Sequence, residues 1–455
     1  MTRSVPDSCP GVLRLHEAAD GPLARIRVPG GRLESEQVRV LAEAAHELGN
    51  GNLELTSRGN VQLRQVRDAG ELAARLATAG LLPSRTHERV RNIVASPLSG
   101  RVGGFADVHG LATELDAGLR SDGALADLPG RVLFTLDDGR GDVSTLRGDI
   151  GIQAVGDEFA VLLAGTDTGI RVTPDEAVPV MLDAAHGFLD LRADSGQWRL
   201  HEIPGGVEKV TETLDRSPTG ARLELGATHD VPIGWFEQDD SLVALGAGVP
   251  LGTLPARVAE FLAAVERPVF LTPWRSVVLP DLAEGPAETV VRVLAPMGLI
   301  FDADSPWLRV SACAGRPGCA KSHTDVRADL TDAVDTGRVL GGDPPDPTES
   351  LETAEPGADI ERALPAEGRS MTAEPGLDTE RTLLTESRSS AAEPGPERIR
   401  PADAPDRAET GLDAADVVTT GRQHWSGCER RCGRPTGPVT DVVATEDGYR
   451  IDRPD

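Results

Sequence analysis

The first eighty residues move between two hydrophobic rhythms. "PLARIRVPGG" (22–31) reads as a strand running into a turn. In "ESEQVRVLAEAAHELG" (34–49) apolar residues recur at helical spacing, and Gly49 is a stop signal. "NLELTSRGNVQLRQV" (52–66) reads as strand, turn, strand, and "AGELAARLATAGL" (69–81) as a second helix. The same β-α-β-β-α order returns at 240–300. There "DSLVALGAG" is the strand, "TLPARVAEFLAAVE" the helix, "RPVFLTPWRSVVLPDL" the strand pair and "AETVVRVLAPMGL" the closing helix. Leu55-Thr56 aligns with Leu271-Thr272, and Val61 and Leu63 with Val277 and Leu279. A repeat of this length predicts tandem ferredoxin-like half-domains with pseudo-twofold symmetry, over 11–80 and 235–300. The copies differ where it matters. The first has Arg58, Asn60, Gln62 and Arg64 where the second has Trp274, Ser276, Val278 and Pro280, which assigns chemistry to the first and scaffold to the second.

Between and after the halves the pattern predicts two α/β regions, for an α+β fold overall. In 90–225, "RVLFTLD", "GIQAV" and "FAVLLAG" are strands and "PDEAVPVMLDAAHGFLDL" is a helix, forming a substrate- or cofactor-binding region. A second such region comprises 305–341 and 412–455. The stretch 342–411 repeats "AEPG" at 354–357, 373–376 and 392–395 and has few large apolar residues, so it is expected to be a disordered low-complexity insert. A loop of this length is tolerable because closure entropy grows only logarithmically with length.

Charge narrows the partners. The formal net charge of −27 over 455 residues disfavours nucleic acid and anionic membranes as partners. No run of eighteen apolar residues suggests a membrane span, and the first residues have no signal-peptide logic, so a cytoplasmic location is expected. Lys209 and Lys321 are the only lysines; the other cations are arginines, whose fork binds carboxylates at two points.

Five cysteines in such a chain do not suggest a disulfide framework. Cys9 stands alone and reads as incidental. The other four form two pairs: Cys313 and Cys319 as C-x5-C in "SACAGRPGCAKSHTDV", and Cys428 and Cys432 as C-x3-C in "HWSGCERRCGRP". Four thiolates without a histidine pair point to zinc or to an iron–sulfur cluster. C-x5-C is wide for a zinc knuckle but wraps the edge of a four-iron cube. Gly315 and Gly318 allow the backbone angles for such a wrap. Cys428 and Cys432, four apart, would face the same way on a helical turn.

This cysteine pattern resembles that of the nitrite/sulfite reductase superfamily. "LELTSRGNVQLRQV" is similar to that family's first-half signature and "RVRNIVASP" (89–97) to its second arginine motif. Six-electron reductases of the family carry a leucine-proline-arginine-lysine-phenylalanine-lysine strand for their small oxyanion. Here "LPGRVLFTLDDG" (128–139) puts Arg131 at one lysine position and Leu133 at the other. That stretch and both cysteine motifs look like the family's cobalamin-pathway branch, the precorrin-3B synthases.

The resemblance implies a monooxygenase that hydroxylates precorrin-3A at C20 with O2 and forms a γ-lactone on ring A. It implies a [4Fe–4S] cluster on Cys313, Cys319, Cys428 and Cys432 and, as in some members, a mononuclear non-haem iron, for which His323 and His424 are the candidates to check. It implies that Arg58, Asn60, Gln62, Arg64, Arg91, Asn92 and Arg131 face a carboxylate-rich tetrapyrrole. No convincing dinucleotide-binding turn is present, so NADH would act as electron source through a separate reductase partner. The competing expectations are a sirohaem-dependent nitrite or sulfite reductase, with Cys432 bridging cluster and haem, and a non-catalytic tetrapyrrole carrier or zinc-stapled relative.

Overall fold

The computed structural model describes residues 7, 9–226, 231–339, 421–435 and 437–454; the 342–411 insert lies outside them. The first repeat supplies β1 (His16–Ala18), β2 (Gly21–Ile26), β3 (Arg32–Leu33), α1 (Ser35–Leu48), β4 (Asn52–Leu55), β5 (Val61–Arg64) and α2 (Ala69–Thr78). There follow β6 (Ile93–Ala95), α3 (His109–Ser121), β7 (Phe134–Asp137), β8 (Ile150–Val155), β9 (Glu158–Leu163), β10 (Thr166–Val172), α4 (Pro174–Ser195) and α5 (Gly206–Thr213). The second repeat supplies β11 (Gly234–Glu237), β12 (Val243–Gly248), β13 (Thr253–Pro255), α6 (Ala256–Ala263), β14 (Val269–Leu271), β15 (Ser276–Leu282) and α7 (Glu284–Leu294). The last region holds β16 (Val310–Ala312), α8 (Val326–Asp335), β17 (Gln423–Ser426), β18 (Thr440–Thr445) and β19 (Gly448–Asp452).

The halves exchange strands. One sheet runs β1-β2-β5-β4-β13 and the other β11-β12-β15-β14-β3, so each is closed by a short strand from the opposite repeat. Thr253–Pro255 pairs antiparallel with β4, and Arg32 and Leu33 pair with β14. This corrects the reading of "TLPARVAEFLAAVE" as helix throughout. Its first three residues are strand, and the helix starts only after Pro255, whose ring leaves no amide to donate. Helices α1 and α6 pack on each other, and Leu41, Leu63, Leu245, Leu262 and Leu279 share one core. Full burial of each such side chain contributes roughly 1.5–3 kcal/mol.

The repeat extends to turn chemistry. Thr56 Oγ1 accepts from the Asn60 amide at 3.1 Å, and Thr272 Oγ1 accepts from the equivalent Ser276 amide at 3.3 Å. Because the turns share this geometry, Arg58 and Trp274 differ in side chain rather than in backbone setting. Trp274 packs against Val94, Leu133 and Val143.

The third sheet, β10-β9-β8-β7-β6, is parallel across β6, β7 and β8 and antiparallel from β8 to β10. Phe134, Phe159 and Phe188 fill its core beneath α3 and α4. The fourth, β16-β17-β18-β19, brings the two distant cysteine motifs together, because Val310–Ala312 runs parallel to Gln423–Trp425. Among the described residues, no helix is long and apolar enough to cross a membrane.

Candidate functional site

The site grows from the outer face of the first sheet. Along β2 and the two extended residues after it the core takes Ala24, Ile26 and Val28, leaving Leu23, Arg25 and Arg27 to the other face by alternation. On β5 the core takes Val61 and Leu63, leaving Gln62, Arg64 and, just before the strand, Asn60 opposite. Leu23 lies across from Arg64 and Arg25 from Gln62.

At one end of this face the four paired cysteines line a cavity of about 200 Å³, together with His16, Leu23, Arg64, Ser322 and Gly427. The Gly427 amide donates to Cys313 Sγ at 3.2 Å. Gly315 holds φ 64°, a region that favours glycine, and a Cβ on Gly427 would meet Ser322 Oγ at 1.8 Å. Burial pushes the Cys432 thiol up; Arg430 opposes this, and Cys313, Cys428 and Cys319 reinforce it. Among the described residues no three cysteine sulfurs lie within 4.8 Å of one another. A tetrahedral zinc with Zn–S bonds of about 2.3 Å would hold them about 3.8 Å apart. A cavity between four spread thiols, with an amide directed at sulfur, fits a cube better than a single ion.

The C-x3-C segment is not a helical turn. After β17 the chain enters a succession of turns, with Arg431 at φ 47° and Gly433 at φ 83°. Arg431 and Arg434 both anchor on Asp441, at 2.9 and 2.8 Å. The cysteines therefore converge through an arginine-braced loop rather than through helical phase.

At the other end lies an arginine group. Arg58 Nη1 donates to the Arg131 carbonyl at 3.0 Å, and Arg27 Nε to the Arg89 carbonyl at 3.1 Å. Arg25 is held by the Gln62 amide oxygen. These partners are neutral, and among the described residues none of the three has a carboxylate within ion-pair distance. Burial, with Arg25 adding repulsion, pushes Arg27 down to about 9; burial, then Arg199, pushes Arg58 down to about 10. Arg131 stacks over Trp198 at 4.7 Å from the ring centre and stands 3.7 Å from Asp7. Three buried or half-buried guanidiniums are thus bonded to neutral oxygens, an arrangement able to hold an anion. Cys9 is less isolated than its sequence position suggests: it is half-buried, and Asp7, Arg27 and Arg25 all act on it.

Other expected site residues are engaged internally. Arg91 is buried with its Nε–Nη2 edge on the two oxygens of Asp116, Nη2 to Oδ2 at 3.1 Å. That pair takes one edge of the buried guanidinium, so the structure shows Arg91 in an internal ion pair, where the sequence reading had it facing the macrocycle. Asn60 and Asn92 are likewise buried and bonded internally. Asn60 Oδ1 accepts from the Val28 amide, its Nδ2 donates to Asn92 Oδ1 at 3.1 Å, and Asn92 Nδ2 donates to the carbonyls of Gly130 and Val132. They stitch the first sheet to the third. Arg64 pairs with Asp20 at 2.7 Å and Glu54 at 3.1 Å, while lining the cysteine cavity.

The two histidines do not meet. His323 is exposed, and His424 is fully buried with Nδ1 against Ser311 Oγ at 2.9 Å. Burial pushes His424 down to about 4. Neither lines the cysteine cavity, so the structure does not assemble an iron site from this pair. Arg25 and Arg27 were missed in the sequence, although their alternation in "LARIRV" was a usable signal. Glu54 and Arg327 carried none.

Residues 16–79 match the family described as the nitrite/sulfite reductase ferredoxin-like half domain. A precorrin-3B synthase from Sinorhizobium sp is 26% identical over 348 residues, 73% of this chain and 74% of that protein. A ferredoxin–nitrite reductase from Synechococcus elongatus is 25% identical over 320 residues, 59% of this chain and 62% of that protein. The solved structure of the Mycobacterium tuberculosis NirA protein superposes with a TM-score of 0.61 at 19% identity, covering 69% of this chain and 64% of that chain. The chain thus spans about three quarters of the synthase and less than two thirds of the other two.

Proposed function

Because this chain carries a ferredoxin-like half domain of the nitrite/sulfite reductase family, we propose that it is an oxidoreductase acting on a carboxylate-rich tetrapyrrole, with precorrin-3B synthase activity. One observation carries the reading: a single sheet face runs from a cavity lined by four cysteines to arginines that lack acidic partners. In this reading Cys313, Cys319, Cys428 and Cys432 hold a [4Fe–4S] cluster, which supplies one-electron transfer when bound. Arg58, Arg25 and Arg27 receive the macrocycle's carboxylates, their desolvation raising the strength of each charge-assisted bond, and the exposed Arg131 adds a contact at the rim. The reaction incorporates one oxygen atom of O2 at C20 of precorrin-3A. The other leaves as water with two protons and two electrons derived from NADH. A ring-A carboxylate closes the lactone.

Leu133 supports this over oxyanion reduction. It is buried in an apolar group with Val94, Val143 and Trp274, where a six-electron reductase of the family would place a cation. The similarity to nitrite reductases keeps the sirohaem reductase as the second reading. Anaerobic purification with iron and acid-labile sulfide quantitation, and a pigment spectrum before and after adding precorrin-3A, tests both. Iron and sulfide without sirohaem, followed by O2-dependent conversion of the added macrocycle, is the expected result. A resident sirohaem spectrum would favour the second reading, and zinc without sulfide would overturn both.

A further inference from the structure

Glu54 links the two ends of the sheet face, through Gln62 toward Arg25 and through Arg64 toward the cysteine cavity. It lies directly across from Gln62 on β5 and from Thr253 on the exchanged strand β13. Gln62 in turn lies across from Arg25. The four therefore form one lateral row over four strands, the arrangement in which cross-strand side chains interact. Glu54 is 7% exposed, and both its oxygens are engaged. Oε2 accepts from Gln62 Nε2 at 3.2 Å and Arg64 Nε at 3.1 Å; Oε1 accepts from Arg327 Nη1 at 2.8 Å. Arg327, near the start of α8, donates through Nε to the Cys313 carbonyl at 3.3 Å and through Nη1 to Thr253 Oγ1 at 3.3 Å. Arg64 presses on the other side of the same loop, its Nη1 only 2.9 Å from where a Cβ of Gly318 would stand.

We propose that Glu54 is a positioning residue that ties the C-x5-C loop to the first sheet and sets the charge around the metal-binding cysteines. It rests on the reading of these four thiols as a [4Fe–4S] site. The physical argument has two parts. A carboxylate shared by two arginines fixes both, and one of them holds the Cys313 backbone. A cluster's potential also responds to nearby net charge and to the hydrogen bonds that order its ligands. Glu54→Gln keeps the shape but leaves Arg64 and Arg327 with excess positive charge, which favours the reduced cluster. Arg64→Gln and Arg327→Gln do the reverse.

The test is an EPR-monitored redox titration of the full-length, anaerobically reconstituted protein and these three variants, with iron and sulfide measured on each sample. The expected result is a midpoint potential raised in Glu54→Gln and lowered in Arg64→Gln and Arg327→Gln. A purely structural role would not give opposite signs. Loss of cluster from Glu54→Gln with unchanged circular dichroism also supports the tie. If Glu54→Gln unfolds, the two arginine variants decide. Potentials indistinguishable from the parent, or all shifted in one direction, overturn the proposal. A parent protein that takes up no iron and sulfide overturns the reading beneath it instead.

Discussion

Replacing Arg91 by alanine should destabilise the fold without weakening macrocycle binding beyond what lost folded protein explains. Arg91 and Asp116 are side chains at 5% and 11% exposure, and the guanidinium meets both carboxylate oxygens. Removing one partner of a buried pair costs about 3–5 kcal/mol, chiefly because the other charge stays behind without compensation. Here Asp116 keeps a second cation, since Arg120 Nε reaches Oδ2 at 2.9 Å. The cost should therefore fall at or below the lower end, roughly 2–3 kcal/mol. Urea unfolding followed by circular dichroism measures it as a lower midpoint at unchanged slope. Replacing both residues, Arg91→Met with Asp116→Leu, should recover much of the loss, because no buried charge is then stranded and Arg120, a third exposed, can turn to water. Macrocycle affinity is measured in parallel on folded protein. Unchanged stability with a tenfold or greater loss of affinity would refute the argument and return Arg91 to the ligand.

Arg58→Ala should lower macrocycle affinity about ten- to a hundredfold, equivalent to about 1.5–3 kcal/mol for a charge-assisted bond, while leaving the urea midpoint near the parent value. Arg58→Lys should rescue only part of it, as read by spectral titration. Each of Cys313→Ser, Cys319→Ser, Cys428→Ser and Cys432→Ser should lose most acid-labile sulfide, whereas Cys9→Ser, outside the cysteine cavity, should retain it. Burial, with Asp137 nearby, pushes Asp142 up to about 7. The folded state therefore keeps a proton that the unfolded chain releases near its ordinary value, and this contribution to stability declines as pH rises from about 4 to 7. Asp142→Asn should flatten that decline and stabilise the protein at pH 8, as read by urea midpoints across the range.

What the sequence made legible was what local pattern encodes. The helical spacing in 34–49 gave α1, and four cysteines in an otherwise thiol-poor chain marked the cavity they now line. What it hid depended on distant partners. Arg91 reads like a ligand-binding arginine until Asp116 appears on α3, twenty-five positions away. Arg64, read as facing the macrocycle, is paired with Asp20 and Glu54. Spacing placed Cys428 and Cys432 on a helical turn, but Arg431 in the left-handed region breaks that turn. Thr253–Pro255 has no strand pattern of its own and becomes strand only because β4 offers it an open edge.

That last feature bears on how such a chain is made and where it came from. During synthesis the first sheet stays open along β4 until residues 253–255 leave the ribosome, and an open edge is a template for pairing with other chains. A fragment ending before Thr253 should therefore aggregate or dimerise rather than fold alone. The exchange is also reciprocal, β13 onto β4 and β3 onto β14. A single ancestral repeat with this connectivity would be complete only in pairs, each copy lending its neighbour a strand. Duplication and fusion would then have joined the two copies into one chain and freed one of them to replace its turn arginine with Trp274.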